Sequence, residues 1–88
     1  MKSTFVISYD LPKEGDYNTL IERIKSYQTW AHITESTWAI VTDSTTVEIR
    51  DSLLQIVGKD ARISVVKSAN VAAWNNVLCT SDWLKENI

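Results

Sequence analysis

The chain has 88 residues, 44% of them hydrophobic and 23% charged, with a net charge of −2. That length makes one small domain, burying roughly 60–65% of its extended-chain surface, and the composition excludes a disordered chain. The acidic balance, with a pI near 5.2, argues against a general nucleic-acid binder, which would carry a basic face to neutralise phosphates.

Four Trp in so short a chain offer large apolar surfaces that partly offset the small size. Homodimerisation would add further core. Cys79 is the single cysteine, too few for an internal disulfide or a cysteine-rich zinc site, and this predicts a reducing, cytoplasmic setting. The N-terminal apolar run, residues 5–7, is too short for a signal core. No apolar run approaches the ~20 residues that span a bilayer, so no membrane partner is expected.

Residues 4–10 read as a first strand, rich in β-branched and aromatic side chains and ending on Asp10. Residues 11–15 form a loop punctuated by Pro12 and Gly15. Asp16 can cap a helix running to about Tyr27, with Tyr17, Leu20, Ile21, Ile24 and Tyr27 on one face. Residues 29–35 and 37–42 read as a hairpin, with no Asn-Gly signal at its turn. Thr45-Thr46-Val47-Glu48 is a capping box, opening a second helix that carries Val47, Ile49, Leu53, Ile56 and Val57 and stops on a left-handed Gly58. Residues 62–67 are a fourth strand. Residues 70–76 suggest a short helical turn, and Ser81 can cap a last helix over 82–87 that carries Trp83 and Leu84.

The order β-α-β-β-α-β with a helical tail (residues 69–88) predicts a single α+β domain over 1–88. It is ferredoxin-like, with two helices on one face of a four-stranded antiparallel sheet. Strands one and three are apolar at both parities: Phe5, Ile7 and Tyr9 against Val6, and Trp38 and Ile40 against Ala39 and Val41. A solvated second face would be more polar. The tail, a second subunit, or both should therefore cover it.

The runs Ile7-Ser8-Tyr9-Asp10-Leu11, Ser36-Thr37-Trp38, Ile49-Arg50-Asp51-Ser52-Leu53, Ala72-Ala73-Trp74 and Asp82-Trp83-Leu84-Lys85 resemble small bacterial proteins described as SinR-like. More distantly the chain resembles the CRISPR-associated protein-two family and VapD-like toxins, through the Tyr9-Asp10 strand end, the Ser-rich approach to strand three and the charged turn Lys59-Asp60-Ala61-Arg62. That resemblance implies a ferredoxin-like homodimer. Some such proteins cut RNA or DNA with a divalent metal, and others are scaffolds in spacer integration. It also implies that the acid matching Asp10 binds Mg²⁺ or Mn²⁺ together with its twofold mate. The arginines that usually follow that acid are missing here, where the loop reads Leu11-Pro12-Lys13-Glu14-Gly15-Asp16.

Asp10 is therefore the candidate catalytic and metal-binding residue. Two carboxylates brought together across a twofold can share a metal and orient water; the alternative is a turn acid that bonds loop amides. Glu14 and Asp16 are candidates for the same shell, or a solvent residue and a helix cap. His32, the one histidine, shares a strand face with Trp30 and is either a base or ligand or a sheet histidine. Ser8, Ser36 and Thr37 form no nucleophile motif. Cys79 has no basic neighbour in sequence to lower its pKa. Tyr9, Trp30, Trp38 and Trp74 are the expected interface residues. The tryptophans would otherwise be core, or a base-stacking platform, although strand three lacks the pattern of an RNA-recognition motif.

Three functions follow: a homodimeric interaction or regulatory module with possible protein partners; a metal-dependent endonuclease built on paired Asp10 residues; and a single-stranded nucleic-acid binder.

Overall fold

The computed structural model describes residues 1–12 and 16–88. Residues 13 to 15 of the loop, Glu14 among them, lie outside the described residues. The elements are β1 (Ser3–Asp10), α1 (Asp16–Lys25), β2 (Thr29–Thr34), β3 (Thr37–Thr42), α2 (Thr46–Val57), β4 (Arg62–Lys67) and α3 (Ser81–Asn87). The strands form one sheet in the order β2-β3-β1-β4, and every neighbouring pair is antiparallel. This is the ferredoxin-like arrangement that the element order predicts.

Register sorts the side chains onto two faces. Ile7 lies opposite Trp38 and Val65, and Phe5 opposite Ile40. With Tyr9 they form the face that α1 and α2 cover through the fully buried Leu20, Ile24, Ile49 and Leu53. Such fully buried side chains each stabilise the fold by roughly 1.5–3 kcal/mol.

The helix ends show why these segments stop where they do. The capping box at α2 is complete: the Thr45 hydroxyl accepts from the Glu48 amide at 3.1 Å, and Glu48 Oε1 accepts from the Thr45 amide at 2.9 Å. Gly58 ends α2 at φ 82°, ψ 168°. The positive φ is as expected, but the extended ψ puts Gly58 in a region open only to glycine, not in the left-handed helical well. Helix α1 is two residues shorter than its apolar pattern, because the Ser26 amide bonds Arg23 O and the Tyr27 amide bonds Ile24 O in a tighter closing turn.

The tail departs most from its sequence reading. Residues 70–76 form no helical turn; Asn70 and Asn76 take left-handed φ values of 66° and 52°, which break a helix. The cap of α3 is Thr80, one residue earlier than expected, with its hydroxyl accepting from the Trp83 amide at 3.2 Å.

The tail covers part of the second face. The Leu78 amide bonds Ile33 O on the outer edge of β2 at 2.9 Å. From there α3 crosses towards β1 and β4. Thr4 Oγ1 donates to Asn87 O, and Ser68 Oγ donates to Ile88 O at 2.7 Å. On the same face Ala31 and Ala39 are buried, and so is Leu84, the one buried residue of α3. The half of this face formed by Ser8 and Asp10 of β1 and Arg62, Ser64 and Val66 of β4 keeps substantial solvent exposure, with Val66 58% exposed. Among the described residues no helix is long and apolar enough to cross a membrane.

Candidate functional site

Asp10 ends β1 directly opposite Arg62, the first residue of β4. Strand pairing therefore fixes the two side chains side by side, and Arg62 Nη1 donates to Asp10 Oδ2 at 2.9 Å. Both are well exposed, at 64% for the Asp10 side chain and 83% for Arg62. Two shallow clefts meet at this pair. One of about 210 Å³ is lined by Asp10, Leu11, Pro12, Asp60 and Arg62. The other, about 300 Å³, runs along Ser8, Asp10, Arg62 and Ser64.

A Mg²⁺ or Mn²⁺ ion prefers several oxygen ligands in a fixed geometry. Within one chain the residues at Asp10 do not supply such a shell. The neighbouring cation is already bonded to the carboxylate, and no group of three or more His, Cys, Asp or Glu side chains able to hold a metal occurs among the described residues. Asp16 stands in the first turn of α1.

The aromatic residues gather on the helix-covered face. Trp38 is 2% exposed and Tyr9 is 6% exposed; Trp38 Nε1 donates to the Tyr9 hydroxyl at 2.9 Å. Burial pushes the Tyr9 phenol above its ordinary pKa; the Trp38 hydrogen bond opposes that rise, and the nearby Tyr17 and Glu35 charges add to it. The His32 ring stacks on Trp38 at 4.0 Å and 10°, and its Nε2 lies 3.1 Å from Glu35 O. This is a half-buried sheet histidine, held by a ring on one side and a backbone carbonyl at its edge.

Tyr9 and Trp38, expected at an interface, are instead buried on the face that α1 and α2 cover, which leaves little side-chain surface for another chain. Trp30, 39% exposed, packs against Trp38 at 5.5 Å under the Lys25 ammonium. Trp74 is half-buried, with its Nε1 donating to Ser81 Oγ at 3.3 Å. Of the four expected interface residues, these two keep outward surface. The Ser8 and Thr37 hydroxyls are 3.4 Å apart on the second face, away from His32. Cys79 is a half-buried free thiol beside Trp30, Leu78 and Trp83.

Sequence reading missed two things here. Arg62 was visible as part of the charged turn, and antiparallel pairing of β1 with β4 was the signal that could have set it opposite Asp10. Tyr17 reaches Tyr9 from α1, and Glu35 reaches it through the turn between β2 and β3, where the Tyr9 amide bonds Ser36 O at 3.2 Å.

No protein-family model and no curated protein matches the sequence. Among solved structures the fold is similar to that of a hypothetical protein, TT1823, from Thermus thermophilus. The TM-score is 0.72 at 18% sequence identity, over 88% of this chain and 95% of that one. The likeness establishes the shared fold.

Proposed function

We propose that the protein is a homodimeric interaction or regulatory module of the cytoplasm, similar in architecture to the CRISPR-associated protein-two family and without robust catalysis. The observation that carries this reading is the Asp10–Arg62 pair. A divalent ion approaching the Asp10 carboxylate meets a guanidinium that strand register holds there, and like charges at such range disfavour one another. The uncovered half of the second face supports the homodimer: Val66 lies exposed beside the polar Ser8, Ser64 and Asp10–Arg62 rim, the mixture of apolar centre and polar margin found at subunit interfaces.

A metal-dependent endonuclease is the second reading, favoured by Asp60 lining the same cleft as Asp10. It needs Arg62 to release Asp10 and a twofold mate to supply further oxygens. Single-strand binding by base stacking finds less support, because Trp38 is buried and its neighbour His32 already occupies one ring face.

Cleavage assays on single-stranded RNA and duplex DNA, with Mg²⁺ or Mn²⁺, separate the first two readings. Exposed ion pairs contribute about 0–1 kcal/mol, so Asp10→Ala should leave the fold intact. Wild type and variant should be equally inactive; metal-dependent cutting that disappears in Asp10→Ala would establish the nuclease instead.

A further inference from the structure

A third cleft, on the opposite face of the sheet from the Asp10–Arg62 rim, has the chemistry of a ligand site. It is about 610 Å³ and is lined by Tyr9, Tyr17, Asn18, Ile21, His32, Glu35 and Ser36. Ligand pockets of this size combine apolar and aromatic walls with a few fixed polar groups, and this one has both.

Its walls are held by bonds that converge from four elements. The Tyr9 hydroxyl accepts from Trp38 Nε1, and the Tyr17 hydroxyl accepts from the Leu11 amide at 3.3 Å. The two phenol rings stand 5.8 Å apart at 54°, so they present differently oriented surfaces to the same space. His32 is fixed between the Trp38 ring and Glu35 O. The turn carrying Glu35 and Ser36 is tied to β1 by the Tyr9 amide. A site whose side chains are already positioned loses little entropy on binding.

The charge of the lining is one-sided. Among the described residues that line it, Glu35 is the only acid and none is Lys or Arg. Glu35 shares the cleft with the Tyr9 phenol, and its charge adds to the rise of that phenol's pKa. Aromatic faces attract cations, as the neighbouring Trp30 and Trp38 rings do outside the cleft: Lys25 Nζ sits 5.2 Å from the Trp30 ring centre and 5.7 Å from that of Trp38.

We propose that this cleft binds a small organic cation bearing a guanidinium or primary ammonium group, seated against Tyr9 and Tyr17 and neutralised by the Glu35 carboxylate. This site is independent of the proposed dimer and of Asp10. Guanidinium matches a carboxylate with two parallel N–H bonds, so agmatine is the suitable probe.

The test is a titration of the ¹⁵N-labelled full chain with agmatine, followed by amide chemical shifts. Saturable shifts confined to residues around Tyr9, Tyr17, Asn18, Glu35 and Ser36 are expected. Affinity should fall about two- to fivefold in Glu35→Gln, the range for an exposed ion pair, and should persist in Glu22→Gln, a change at an exposed acid of α1 outside the lining. Glu35 is itself exposed, so its amide leaves the fold unchanged, which the spectrum of the free variant verifies. No saturable shift in the wild type, or equal binding by Glu35→Gln, would overturn the proposal.

Discussion

Single residues do different work on the two faces of the sheet. Tyr9 is a structural phenol: its oxygen is the partner of the buried Trp38 N–H. Tyr9→Phe leaves that donor without an acceptor, and a buried unpaired donor costs about 1–3 kcal/mol. Urea unfolding at neutral pH should show a loss of that size. The same residue sets a pH dependence. Its folded pKa lies above the ordinary tyrosine value of about 10 because burial disfavours the phenolate. Below that value both states keep the proton and the contribution is complete. As pH rises past it, the unfolded chain ionises first, so stability falls through the folded pKa. Tyr27, raised for the same main reason, acts in the same direction, and Tyr9→Phe should therefore shallow the alkaline fall without abolishing it. Asp10, by contrast, is bonded to Arg62 at the surface, so its removal should scarcely change folding.

At the scale of elements, the two main helices and four strands were legible because each carries a local signal. The capping box at Thr45 and the 3.6-residue apolar spacing of Leu20 and Ile24 depend on neighbours in sequence alone. The tail was less legible. Its segment 70–76 contains Ala72, Ala73 and Trp74, which suit a helix, yet its course is set by distant partners: Ile33 for the Leu78 amide, and Thr4 and Ser68 for the last carbonyls. The same limit hid the site. Asp10 could be named from its strand end, whereas its bond to Arg62 comes from pairing across 52 positions, and the burial of Tyr9 and Trp38 comes from which face the helices take. The account makes Leu84 the anchor of α3. Leu84→Ala removes its one fully enclosed side chain, at a cost of about 2–5 kcal/mol for a buried leucine. Hydrogen exchange should then accelerate at the α3 amides well before those of β1 and β3; uniform loss of protection would show instead that α3 and the sheet unfold as one unit.

For the whole molecule, the tail leaves the sheet half covered. One half of the second face, with the buried Ala31 and Ala39, is closed by α3, and the other, from Ser8 to Val66, lies open beside the Asp10–Arg62 pair. A domain of 88 residues gains much from closing such a surface with a second copy, because its own core is small. The proposed homodimer is separate from the cleft on the opposite face. Light scattering coupled to size-exclusion chromatography measures it directly. At micromolar concentration the account predicts a mass of twice the 10.0 kDa chain; a single-chain mass maintained up to the highest soluble concentration would contradict it.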